Sequence, residues 1–181
     1  MAASDKSGKF KLSTVEMVLF SAFGALMFCS KLLMEWAPNI HLIGVFTVVF
    51  TVVYRMKALI PIYIFVFLCG IYGGFSTWWI PYLYIWLVLW GATMLLPVDM
   101  NGRTAVWVYM LVCGLHGLFF GILYAPFQAV VYSMSFKAVT SWVIAGIPFD
   151  CMHALGNFAA GILAVPLIRV LKLFKPKQNV Q

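Results

Sequence analysis

Apolar residues in this chain come in long blocks, and the few charged positions fall between the blocks. No charge occurs between Lys57 and Asp99, so Ala58 to Val98 forms a stretch of 41 residues broken only by turn-forming types. A bilayer crossing takes about 20 apolar residues, so this stretch alone predicts two. Cutting the chain at charges and turn residues predicts six helices. The first covers Leu12 to Met34 and ends at Glu35-Trp36-Ala37-Pro38-Asn39, where proline after an apolar run is a stop signal. The second, Ile40 to Tyr54, is short and precedes Arg55-Met56-Lys57. The third runs from Ala58 to about Phe75 and stops at Gly73-Gly74 and Ser76-Thr77. The fourth spans Pro81 to Pro97, before the polar turn Val98 to Arg103. The fifth occupies Thr104 to about Tyr124 and is closed by Pro126. The sixth, from about Ala138 to Phe174, is long enough to tilt or to kink at Pro148.

Composition turns these helices into a class. The chain is 64% hydrophobic and 9% charged, whereas soluble domains carry about a quarter charged residues. It cannot coat itself for water, which excludes soluble, disordered and nucleic-acid-binding readings. The expected fold is all-α, a six-transmembrane-helix bundle. One membrane domain, residues 12–174, is flanked by a basic N-terminal tail, 1–11, and a C-terminal tail, 175–181. A signal peptide would have a shorter apolar core and a small-residue cleavage site, so the first apolar run reads as a retained helix.

The net charge of +7 is a topology signal, because the basic residues sit at helix ends. With the N-terminus inside, Lys6, Lys9, Lys11, Arg55, Lys57, Arg103, Arg169, Lys172, Lys175 and Lys177 face the cytoplasm. Only Lys31 and Lys137 face outward. Both termini are therefore expected in the cytoplasm, in a multi-pass protein of the cell membrane. Cys29, Cys69, Cys113 and Cys151 have no metal or disulfide spacing and read as small buried hydrophobes.

Polar residues inside a bilayer are costly and tend to mark function. Asp150, His153 and Asn157 stand at i, i+3 and i+7 on the sixth helix, along one face. Asn39 and His41 open the second helix at the outer surface, His116 lies mid-span on the fifth, and Gln128 lies just past its outer end. Five Trp or Tyr fall within Trp78 to Trp86 beside an outer loop. An interfacial belt accounts for some of them; Trp78, Trp79 and Tyr82 are also placed to stack on a flat heterocycle. Ser21-x-x-x-Ala25 and Gly117-x-x-x-Gly121 are small-residue spacings that permit close helix approach in lipid. No phosphate loop, zincin motif or nucleophile elbow is present. The chain has no means of using ATP, and neither cofactor nor metal site is expected.

The whole chain from Leu12 to Lys172 resembles the substrate-binding S component of an energy-coupling factor (ECF) vitamin transporter. The likeness rests on size, six helices and the basic tail leading into a small-x-x-x-small first helix. It also rests on Pro38-Asn39-Ile40-His41-Leu42, Tyr54-Arg55-Met56-Lys57-Ala58-Leu59 and the polar sixth helix. The resemblance implies that a vitamin or precursor binds at the outer face, beneath the loops joining helices one to two, three to four and five to six. It implies partners too: a membrane T component driven by two ATPase subunits, on which the S component docks and topples to release cargo. The family's docking motif is Ala-x-x-x-Ala; Ser21 and Ala25 hold those positions here, with serine replacing the first alanine.

An anionic cargo would want Arg or Lys at hand. The outer half offers only Lys31 and Lys137 against Glu35 and Asp150, which favours a neutral or weakly cationic aromatic heterocycle. Asn39, His41, Trp78, Trp79, Tyr82, Gln128, Asp150, His153 and Asn157 are the candidate binding residues, and no catalytic group is expected. Two alternatives come from other classes: a structural or regulatory subunit without a ligand, and an intramembrane enzyme using His153 and Asp150 as an acid–base pair.

Overall fold

The computed structural model describes residues 12–97 and 99–174, and these are all-helical, with no strand. The tails expected over 1–11 and 175–181 lie outside the described residues, with Lys6, Lys9, Lys11, Lys175 and Lys177. Eight α-helices are formed among the described residues: α1 (Thr14–Leu33), α2 (Ile43–Tyr54), α3 (Leu59–Gly73), α4 (Tyr82–Met94), α5 (Gly102–Leu118), α6 (Phe120–Val131), α7 (Phe136–Ala160) and α8 (Ala164–Phe174). Four helical stretches are long and apolar enough to cross a membrane: Thr14–Leu33, Ile43–Gly73, Gly102–Val131 and Phe136–Phe174. They make this a membrane protein. The second of them turns back on itself at Arg55, and α4 is a shorter apolar helix.

Local chemistry sets the helix ends. Ser13 accepts the Glu16 amide at 3.1 Å while Glu16 accepts the Ser13 amide at 3.0 Å, a reciprocal capping box that starts α1. Asn101 caps α5 through the Thr104 amide, and Ser135 caps α7 through the Ala138 amide. Arg55 ends α2 with φ of 52° and ψ of −120°, a sparsely populated positive-φ conformation costing a side chain about 1–3 kcal/mol. Its own contacts offset that cost: its guanidinium donates to the Met94 carbonyl at 2.7 Å, and its carbonyl accepts the Trp90 indole N–H.

All 12 residues of α2 are buried, as expected of a helix that is apolar all round. α2 lies beside α1 in the opposite direction, with Phe50 stacked on Phe23 and Tyr54 edge-on to Phe20. α3 runs with α1: Lys57 pairs with Glu16, Gly24 meets Ile64, and Phe28 meets Tyr72. α5 and α7 form the most extensive helix pair, antiparallel, with Gly161 against Met110 and Gly117 against His153. At about 1.5 Å per residue α2 is about 18 Å long, well short of a hydrocarbon core of about 30 Å. Its surroundings are protein on every side.

Two breaks fall elsewhere than proline placement predicts. α6 continues through Pro126 and α7 through Pro148. The fifth stretch is interrupted at Phe119 instead, and the sixth at the tight turn Gly161–Leu163. At Gly161 an added Cβ would lie 2.6 Å from the Met110 backbone, so close helix crossing decides where the helix yields. Proline inside a helix removes one donor and crowds the carbonyl four residues earlier, yet both helices continue through it.

Candidate functional site

Two helical faces build the polar interior. On α5 and α6, His116, Phe120, Tyr124 and Gln128 recur every four residues, which keeps them roughly on one side. On α7, Asp150, His153 and Asn157 are all buried. Glycine lets the faces close: a Cβ on Gly117 would lie 2.8 Å from the His153 carbonyl oxygen. The Gly117 and Gly121 pair is therefore internal packing between α5–α6 and α7.

Above this interior the segment from Glu35 to Leu42 folds over as a loop. Asn39 turns it with φ of 61°, a left-handed position that asparagine tolerates better than most residues. Beneath lies a pocket of about 220 Å³ lined by Asn39, His41, Tyr82, Phe120 and His153, with Lys31 and Glu35 at its rim. The rim charges neutralise each other through an ion pair of 2.8 Å. Inside, His41 Nε2 and His153 Nε2 share a hydrogen bond of 2.8 Å, so one ring donates and the other accepts. Burial pushes the His41 imidazole down from its ordinary 6.5 to about 4, and it is neutral at physiological pH.

Below the histidine pair the packing is polar but incompletely bonded. His116 donates Nε2–H to the Ile85 carbonyl at 3.1 Å, which leaves Nδ1 as an acceptor without a protein partner. The Trp86 ring lies 5.4 Å from His116 and 6.0 Å from His41, and its buried indole N–H is also unpaired. Asn157, 1% exposed, presses its amide against Gly44 of α2 with neither amide atom bonded to protein. Buried polar atoms without partners are rare and costly. Donors and acceptors are both present, which suits a ligand or solvent that offers both.

The remaining candidates are placed differently. Asp150 and Gln128 line a separate cleft between α6 and α7, and Phe120 is a wall of both cavities. Trp79 is an anchor: its indole N–H donates to the Val66 carbonyl at 2.7 Å. Trp78 lies over Gly73, edge-on to Tyr82, and reaches the loop pocket only through that ring. Ser21 and Ala25 are exposed on α1, in a band with Val18, Ala22 and Cys29. No group of three His, Cys, Asp or Glu able to hold a metal occurs among the described residues.

Comparison with known proteins returns no match, whether to a family model, a curated protein or a solved structure. The site therefore stands on its own geometry. Sequence reasoning did not single out Phe120, although the four-residue spacing from His116 to Gln128 was a signal for it. Gly44 carried no signal, since only the fold brings it to Asn157.

Proposed function

We propose that this chain is the substrate-binding S component of an ECF-type importer. Its cargo is a small, neutral or weakly cationic aromatic heterocycle, a vitamin or vitamin precursor. The observation that carries the reading is the loop-covered pocket built from Asn39, His41, Tyr82 and His153. Its only charged residues cancel at the rim, and its walls combine rings with neutral nitrogen donors and acceptors. About 220 Å³ is small beside the usual 300–1,000 Å³ of ligand sites, which suits a cargo of one or two rings.

The six-crossing count belongs to this reading. Helix directions alternate from α1 through α4, and Arg55, Lys57, Gly102 and Arg169 lie toward one end of the bundle. Assigning that end to the cytoplasm follows the positive-inside rule. The exposed small residues Ser21 and Ala25 offer a face for the T component, and two ATPase subunits would supply the energy. The cargo enters under the 35–42 loop, stacks against Tyr82 and Phe120, and exchanges hydrogen bonds with His41 and His153.

The test is native mass spectrometry and thermal shift of the purified protein against a panel of vitamins and precursors. One small heterocycle should stabilise it, and His41→Ala should remove that stabilisation. A panel without any stabilising compound counts against the reading.

A further inference from the structure

A larger cleft, of about 470 Å³, opens between α6 and α7. The rings of Phe120, Tyr124, Trp142 and Phe149 form its walls, and Tyr124 and Trp142 stack at 6.3 Å. At its base sits the Asp150 carboxylate, 9% exposed. Oδ1 accepts the Gly121 amide at 3.1 Å, at the break between α5 and α6. Among the described residues Oδ2 has no donor, and no Lys, Arg or His pairs with Asp150. No basic residue lines the cleft.

We propose that this cleft is a second binding site, for an arylalkylammonium ion, distinct from the loop pocket and independent of the transport reading. The chemistry narrows the ligand class in three steps. A carboxylate in an apolar setting is either neutralised by a proton or compensated by a cation, and in both states it disfavours an anion. One carboxylate without further ligands cannot hold a metal ion. A flat aromatic cage beside the carboxylate favours an organic cation, because ring faces attract positive charge within about 6 Å. The ammonium group donates to Asp150 Oδ2, and the aryl group lies among Tyr124, Trp142 and Phe149.

The test is isothermal titration calorimetry on the full chain in nanodiscs of neutral phosphatidylcholine. Phenethylammonium is the probe, and 2-phenylethanol is its uncharged counterpart. Phenethylammonium should bind one equivalent, and the alcohol at least tenfold more weakly. Asp150→Asn keeps an acceptor for the Gly121 amide and should weaken the ammonium at least tenfold. Gly146→Leu fills the cleft from the side where the Cβ position lies 4.0 Å from Oδ2, and should cause a similar loss. His41→Ala should leave ammonium affinity within twofold, which separates this site from the loop pocket. The proposal is overturned if phenethylammonium does not bind, if the alcohol binds as tightly, or if both cleft variants bind like the parent. Loss in His41→Ala without loss in Asp150→Asn overturns it as well.

Discussion

His41 Nε2 and His153 Nε2 lie 2.8 Å apart, with the two rings nearly perpendicular at 79°. This one bond ties the loop ahead of α2 to the middle of α7, 112 positions later in the chain. It closes the floor of the loop pocket and fixes which ring nitrogens face inward. A donor–acceptor pair of this kind leaves each partner exposed to the loss of the other.

The pair should therefore behave as a unit. His41→Ala and His153→Ala each destabilise the protein, and the double variant should cost less than their sum by about 0.5–3 kcal/mol. Thermal unfolding of the four proteins in one detergent measures the coupling. Strict additivity would mean that the bond contributes nothing.

Acid should loosen the loop. Burial holds the folded His41 near 4, whereas the unfolded residue titrates near 6.5. The unfolded chain then binds the extra proton in that window, so stability is full above about pH 6.5 and falls as pH drops toward about 4. The melting temperature should decline between about pH 7.5 and pH 5, and His41→Gln should flatten part of that decline. An unchanged slope in the variant would assign the acid sensitivity elsewhere.

Asn157 should cost the protein stability. Its amide is buried without protein partners, and an unsatisfied group of that kind costs about 1–3 kcal/mol. Asn157→Leu should raise the melting temperature and leave cargo affinity within about twofold, because Asn157 packs on Gly44 and does not line the loop pocket. A variant that loses stability instead would show that the amide is holding the α2–α7 contact at Gly44.

Two glycines provide a matched comparison. A Cβ on Gly121 would collide with Asp150 Oδ2, whereas at Gly91 in α4 nothing lies within 4 Å. Gly121→Ala should destabilise and displace the carboxylate. Gly91→Ala should be neutral or stabilise by up to about 1 kcal/mol, the helix-propensity difference. Equal effects at both positions would contradict the close approach of α7 to Gly121.

The exposed face of α1 gives the last outcome. Ser21 and Ala25 are both exposed one turn apart on α1. Ala25→Trp should leave cargo affinity within about threefold and abolish transport with a T component, because bulk there blocks close helix contact. Normal transport would remove the docking face; a loss of binding would make it internal packing.

Membrane class, the main apolar helical runs and the burial of the polar stripe were legible in the chain because they follow from local rules. Apolar runs of about 20 residues satisfy their backbone in lipid as helices, whereas the caps at Ser13, Asn101 and Ser135 emerged only from the structure. The i, i+3, i+7 spacing put Asp150, His153 and Asn157 on one stretch of α7, and all three are buried. Periodicity fixes angle around one helix axis. It carries no information about what stands opposite.

That second question was decided by packing alone. Phe120 stands between His153 and Asp150, its ring 4.8 Å from the His153 ring, so neighbours in the stripe serve different cavities. Close crossings at Gly117, Gly121 and Gly161 set how near α5 and α6 come to α7, and they moved the helix breaks away from Pro126 and Pro148. The meeting of His41 with His153, and of Gly44 with Asn157, depends on α2 being enclosed on every side. Those contacts arise from steric fit between distant segments, which no local pattern encodes.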